Sequence, residues 1–428
     1  MYAKISLPRV LCKQTFAYGS WYATRRFLSV VRATIPAVTR RIDNTERRAR
    51  LAIRHRLAGP PAHDPVEVTR DLVVLHATDA ATVYLGAAAR LHAPVIKDLE
   101  HALYADRSLI RMLGMRRTMF VAPVEHAPIV QAACTDAIAV VQRKLLLRHL
   151  AEAGHDGGDP WLRDVEQATL AALAARGSAT AAQLSADEPR LRTQLSIDED
   201  KSYGAAPAIN SRVLNLLSMQ GLIVRGRPRG TWLSTQYEWA PADAWVEGGL
   251  HRFDAAAARV ELARLWLARF GPATPADLKW WAGWTGAQVK AALAGLDIEE
   301  VTLDGGETAV VLADDTAPVE TPDPWVALLP ALDPTIMGWV GREWYLGPHS
   351  PALFDRSGNP GPTVWVDGRV VGGWSQRPDG KVVHRLLEDV PAATKKRIAA
   401  ATSELADWLG DARVKPKFRT PLERELSA

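Results

Sequence analysis

His76 and Thr78 are the side chains in this sequence best placed to do chemistry. They interrupt an apolar segment, Leu72 to Leu91 (LVVLHATDAATVYLGAAARL), where a packed core would carry nothing polar. On extended or irregular backbone a spacing of two puts both side chains on one face, where they can hold a single water. On a continuing helix they diverge by roughly 200 degrees. A histidine near its ordinary pKa accepts a proton around neutral pH, and a threonine hydroxyl both donates and accepts. The pair can therefore orient or activate water; the other reading is a partly buried histidine satisfied by a backbone carbonyl. Asp79 is a candidate electrostatic stabiliser, or the cap of the following helix, which is the simpler reading.

The distribution of charge suggests what such a water would attack. The formal net charge is only +4, but the basic residues cluster. Arg40 to Arg56 (RRIDNTERRARLAIRHR) holds seven arginines against Asp43 and Glu46. Arg47, Arg50 and Arg54 fall three and four apart, on one face of a helix, a stripe able to neutralise several phosphates in a salt-dependent way. Further clusters are Arg111 to Arg117, with Arg116 and Arg117 beside a strand, and Arg225, Arg227 and Arg229 at a hairpin tip. Arginines at a tip contact phosphate or simply face solvent. The two cysteines, Cys12 and Cys134, cannot build a zinc site, so no metal and no cofactor are expected, and a reducing, cytoplasmic compartment fits. There is no run of eighteen apolar residues, hence no expected membrane span.

The length, 428 residues, exceeds what one core usually supports and predicts several small domains. Residues 1–38 are basic without an acidic residue and read as a disordered tail or a mis-assigned start. Helices are predicted from Asp43 (N-cap, with Glu46 as capping-box partner), over Asp64 to Leu75, Tyr84 to Leu91 and Ile96 to Ala105, followed by a strand in Met115 to Pro123. The order recurs. Asp164 to Arg176, Ser178 to Leu184 and Ala208 to Gln220 precede a hairpin of Leu222 to Val224 and Thr231 to Leu233, and Asp254 to Phe270, Thr274 to Trp281 and Thr285 to Leu296 precede strands at Glu300 to Leu303 and Thr308 to Leu312. Three helices and a hairpin make a winged helix, and three copies make a tandem array. Pro324 to Val390 alternates apolar and polar residues between Gly-Asp and Asp-Gly turns, predicting a compact barrel-like β unit before a helix over Ala392 to Leu409 and a basic tail. The expected class is α+β, mainly α, with three tandem winged helices and a C-terminal β-barrel-like unit. Its boundaries are 1–38, 39–160, 161–250, 251–320, 321–391 and 392–428.

Four segments, LVVLHATDAATVYLGAAARL, MRRTMFVAP, WVALLPALDPTIMGWVGREW and TVWVDGRVVGGW, give this chain a resemblance from Arg40 to Val390 to the bacterial winged-helix DNA glycosylases associated with azinomycin resistance and interstrand-crosslink unhooking. The resemblance implies three winged helices curved into a concave DNA-binding face and a C-terminal β-barrel. It also implies a water positioned by Gln-x-Gln or Gln-x-Asp. Here His76 stands at the first glutamine and Thr78, a shorter side chain, at the second polar residue. The MRRTMFVAP element is similar to the family's DNA-contacting hairpin, which assigns Arg116 or Arg117 to phosphate. Asp333 and Arg342 line a pocket or form an ion pair that fixes the β unit to the array.

The resulting expectation is a monomeric, nucleoid-associated enzyme that binds double-stranded DNA and hydrolyses the N-glycosidic bond of alkylated or crosslinked purines. A cationic alkylpurine is a good leaving group, so an oriented water and a stabilising field suffice. Nothing marks Lys97, the nearest lysine downstream, as a Schiff-base nucleophile. The alternative is a non-catalytic winged-helix protein that binds DNA or a genotoxin, or a transcription regulator, which would favour a dimer on two half-sites. The tryptophans of DLKWWAGW (Trp280, Trp281, Trp284) are read as seam fillers rather than base-stacking platforms.

Overall fold

Asp43 starts the first helix as its position suggests, accepting the Glu46 N–H at 2.8 Å. In the computed structural model, which describes residues 40–195, 208–247, 249–250 and 253–428, the chain begins with strand β1 (Arg41–Ile42) and helix α1 (Asn44–Arg54). The segment expected to be a basic tail lies outside the described residues. Glu46 does not complete a capping box; its carboxylate takes Arg40 and Arg50 instead. Helix α2 (Pro65–Asp71) is shorter than its predicted span, and the chain passes into strand β2 (Leu75–His76) before α3 (Ala80–Ala88) and α4 (Ile96–Tyr104). A hairpin follows, β3 (Leu109–Leu113) and β4 (Met119–Pro123), with β4 central in a sheet of order β2-β4-β3.

Helix α5 (Ala127–Val130) runs through one π turn, Gln131–Thr135, into α6 (Asp136–Glu152). Next come α7 (Gly158–Arg176), which Gly177 stops at φ 73°, then α8 (Ala181–Asp187), α9 (Asn210–Met219) and the hairpin β5 (Ile223–Pro228) and β6 (Tyr237–Pro241). The return strand is therefore Tyr237–Pro241 and not Thr231 to Leu233. Trp232 is drawn out of the hairpin by Tyr84 and Trp408, with ring centroids 4.8 and 6.1 Å away, and the Arg229 N–H closes the loop on the Gln236 carbonyl at 2.8 Å.

After the short α10 (Ala242–Trp245), α11 (Ala255–Phe270), α12 (Pro275–Ala282) and α13 (Gly286–Ala294) lead into the hairpin β7 (Ile298–Leu303) and β8 (Thr308–Leu312). Asp254 caps α11, and Thr274 and Asp277 form a reciprocal capping box on α12. Strand β1 joins this late hairpin in parallel, Arg41 opposite Thr302. The N-terminal helix α1 thus packs on α11, although the sequence groups it with the first helices.

The C-terminal part holds β9 (Val326–Leu329), α14 (Glu343–Leu346), α15 (Ser350–Leu353), β10 (Thr363–Val366), β11 (Arg369–Gln376), β12 (Val382–Leu386), α16 (Ala392–Leu409) and α17 (Pro421–Leu426). Its strands form an open antiparallel sheet of order β12-β11-β10-β9; among the described residues the two edges do not pair, so no barrel closes. Within the stretch expected to be β, Glu343–Leu346 is helical. The class is mixed α+β; α7, α8 and α9 precede one hairpin and α11, α12 and α13 another, whereas the first hairpin follows four helices with β2 set between α2 and α3. The cores are shared between these segments: one cluster joins Met112 and Phe120 of the first hairpin to Trp266 and Trp281, another joins Leu75 and Leu109 to Leu214 and Ile223. No helix of the described residues is long and apolar enough to cross a membrane.

Candidate functional site

The polar triplet lies where β2 ends, and it is pinned on each side. Leu75 pairs with Val121 and His76 with Phe120, the Ala77 N–H donates to the Met119 carbonyl at 2.8 Å, and Arg111 Nη1 donates to the Ala77 carbonyl at 3.3 Å. Asp79 is the helix cap: one carboxylate oxygen accepts the Ala81 N–H at 3.0 Å and the other the Lys417 N–H at 2.8 Å. Burial nevertheless raises its pKa above the ordinary carboxylate value.

His76 is 6 % exposed, edge-on to Phe120 at 5.4 Å, and its Nδ1 has no hydrogen-bond partner. The backbone-satisfied histidine considered above is therefore not what forms at Nδ1. Burial first, and the nearby Arg116 charge second, push its pKa down to about 3, so the ring is neutral at physiological pH. Its folded pKa lies below the unfolded value of 6.5, so the neutral ring contributes stability that is complete above about pH 6.5 and lost as pH falls towards 3. His55 and His126 are lowered in the same direction, again mainly by burial. Stability should thus fall as pH drops below 6.5, by up to about 1.4 kcal/mol per pH unit for His76. Urea unfolding of the wild type and His76→Gln at pH 6.5 and 4.5 should show the variant losing less.

Thr78 is half-buried and lines a cleft of about 580 Å³; His76, packed edge-on to Phe120, does not line it. The spacing of two does not place both side chains on one wall, because the chain leaves the strand between them. The cleft lies between the first hairpin, α6, α9 and the second hairpin. Its walls carry Arg117, Arg212, Arg225 and Lys417 and no carboxylate. Each arginine rests on a neutral acceptor: Arg117 Nη1 on Gln142 Oε1 at 2.9 Å, Arg212 Nη1 on His149 Nδ1 at 2.9 Å, Arg225 Nη2 on Asn215 Oδ1 at 3.0 Å. The His149 pKa is lowered, by desolvation first and Arg212 second, consistent with that accepting role. Among the described residues none of the three arginines meets a carboxylate, and only Lys417 lies near one, that of Asp79; this excess of cations fits a polyanion. A second cleft of about 600 Å³, beside the π turn, sets Arg143 against Asp136 and Asp243 and has no such excess.

Other expected contacts divide. Arg116 and Arg117 both adopt positive φ, 53° and 57°, at the tip of the first hairpin. That turn splays them: Arg117 enters the cleft, while Arg116 stacks on Trp280 at 4.2 Å. Arg342 stacks on the same Trp280 at 4.7 Å. Trp280 is therefore held between guanidiniums, whereas Trp281 and Trp284 are core residues. Arg227 leans on Glu100 (3.6 Å) and Tyr104 (4.9 Å), and Arg229 is exposed.

The stripe on α1 does not face solvent. Arg50 is 1 % exposed and bonds Glu46, Asp315 and the Ala317 carbonyl; Arg54 pairs with Asp315 at 2.6 Å; Arg47 packs over Trp344 at 4.1 Å, its pKa lowered to about 10 by burial. These side chains clamp α1 to later parts of the chain, and beside the local Glu46 their counter-charge comes from Asp315, which local charge counting cannot see. Asp333 does not pair with Arg342. It pairs with Arg90 in a fully buried bidentate bridge, 2.8 and 2.9 Å, to which Thr335 Oγ1 adds an acceptor for Arg90 at 2.8 Å.

The model of the family described as DNA glycosylase AlkZ-like matches residues 69–408, which include the triplet, the cleft arginines and the Arg90–Asp333 bridge. This chain belongs to the AlkZ-like DNA glycosylase family. Among solved structures, the DNA glycosylase AlkZ of Streptomyces sahachiroi superposes with a TM-score of 0.67 at 20 % identity, covering 86 % of this chain and 97 % of that one. At that identity the likeness speaks for the fold alone. No curated protein matches the sequence. In this AlkZ-like chain, Arg212, Gln142, His149 and Asn215 were missed by sequence reasoning, because α6 and α9 bring them to the cleft from separate helices. Lys417 had a visible signal, the basic tail RVKPKFRT.

Proposed function

We propose that this chain is a monofunctional DNA glycosylase. It acts as a monomer on duplex DNA through three winged helices, and hydrolyses the N-glycosidic bond of N7- or N3-alkylated or crosslinked purines. The carboxylate-free cationic cleft that Thr78 lines carries the reading. In the reaction the C1′–N bond breaks and its electron pair neutralises the alkylated base. Water oxygen bonds C1′ and gives up a proton to the surrounding solvent. Such a sugar becomes cationic on the way, so groups that hold the water must not be cationic. Thr78 and a histidine with a pKa of about 3 meet that requirement. His76 is too weak a base to take the proton early; enclosed beside Phe120 and outside the cleft, its neutral ring sets the backbone that presents Thr78, and Thr78 holds the water from the cleft. The cations Arg117, Arg212, Arg225 and Lys417 take phosphates, with Arg116 and Arg342 beside Trp280 as a second contact surface.

Two measurements test this reading. Single-turnover excision should be level from about pH 6 to 9, because His76 is already unprotonated throughout; a rise with a midpoint near 6.5 would contradict it. In duplex binding followed by anisotropy, Arg212→Gln and Lys417→Gln should each lower the salt slope by about one, while Arg50→Gln leaves the slope unchanged. Equal slopes for all four proteins would place the strand elsewhere.

A further inference from the structure

The first two hairpins meet with β3 packed against β5, and each contributes an arginine to the contact. Arg111 is 2 % exposed, and Arg225 reaches from the same seam into the cleft. Their guanidinium carbons lie 4.8 and 5.9 Å from the ring of Tyr237, and Arg225 also lies 5.2 Å from that of Trp239. Among the described residues neither arginine meets a carboxylate. Both Nε atoms are buried without an acceptor, and the hydroxyls of Tyr84 and Tyr104 beside them reach only one another and Arg111. Glu100, close enough to act on Tyr84, is turned to Arg227 at 3.6 Å.

Beyond the Ala77 carbonyl, Asn215 and the phenols, the donors that collect here have no acceptor and no counter-charge among the described residues, and two like charges share one aromatic ring. Buried guanidiniums are normally paired, and orphaned donors are rare unless a guest supplies the missing oxygens. Stacking on tyrosine and tryptophan holds the cations in place but fills none of their N–H groups. An acceptor-rich anion of small size completes the set, and a phosphodiester is the one such group that a DNA strand in this cleft brings.

We propose that the seam between the two hairpins is a phosphate-binding site, in which Arg225, backed by Arg111, takes a single phosphodiester of the strand that occupies the cleft. The inference rests on the reading of the cleft as a DNA site. It adds that one backbone linkage is held individually, next to the loop whose Ala77 carbonyl Arg111 already holds.

Duplexes carrying a stable tetrahydrofuran abasic site, with one methylphosphonate linkage moved stepwise along each strand, test it by anisotropy. The wild type should bind about ten-fold more weakly when one linkage, or two adjacent ones, is neutralised. Arg225→Gln should bind the natural duplex about ten-fold more weakly and lose nothing further at that linkage, while keeping its losses elsewhere. A melting temperature of Arg225→Gln equal to that of the wild type shows that the seam still folds. The site is overturned if Arg225→Gln and the wild type share one methylphosphonate profile. If the wild type ignores every duplex, the DNA reading itself fails, and pyrophosphate then probes the seam alone. A thermal upshift in the wild type that Arg225→Gln lacks supports the site, and no upshift overturns it.

Discussion

His76→Ala should excise N7-methylguanine from duplex DNA about 10²-fold or more slowly than the wild type, with duplex affinity unchanged. The ring lines no part of the cleft and carries no charge, so its removal costs orientation of the water and not binding of the strand. His76→Gln should retain most of the rate, since glutamine is neutral and restores the first residue of the pattern that the resemblance assigns to active glycosylases. Single-turnover rates of the three proteins decide it. An alanine variant as fast as the wild type would remove His76 from the chemistry and leave Thr78 alone at the cleft.

The second large effect concerns stability. Asp333→Ala should destabilise the protein by about 3–5 kcal/mol, because it leaves the Arg90 charge buried with only neutral acceptors. Both partners of the bridge are 0 % exposed, and the bridge ties α3, which follows the triplet directly, to the C-terminal part. Replacing both residues, Arg90→Met with Asp333→Leu, should recover much of the loss, since an apolar pair removes the unpaired charge. Equilibrium unfolding in urea measures both. A loss under about 1 kcal/mol for Asp333→Ala would mean that solvent reaches the bridge.

Local signals were legible where local chemistry decides. Asp43, Asp254 and Thr274 start helices because each side chain accepts N–H groups within its own first turn. His76 and Thr78 stood out because polar residues broke an apolar run, and the break does mark a strand end beside a cleft. What the sequence hid is long-range. The α1 arginines looked unpaired because Asp315 lies far along the chain. Strand β3 went unseen because Arg111 sits in its middle, where burial rests on the Ala77 carbonyl and Tyr237 and not on hydropathy. Thr231 to Leu233 looked like a strand, yet packing of Trp232 on Tyr84 and Trp408 outweighed β propensity. The alternation in Pro324 to Val390 predicted strands correctly at β9 to β12 but says nothing about closure, which depends on edge pairing.

The most direct test of the central claim is release of free base. Wild-type protein is incubated with duplex DNA containing N7-methylguanine, the free purine is quantified by mass spectrometry, and strand breaks are scored before and after alkali. A monofunctional glycosylase releases 7-methylguanine in step with alkali-labile sites and makes no break beforehand. Tight, salt-sensitive binding of the same duplex with no base released above the uncatalysed rate would contradict the account and leave a DNA-binding protein on a glycosylase fold.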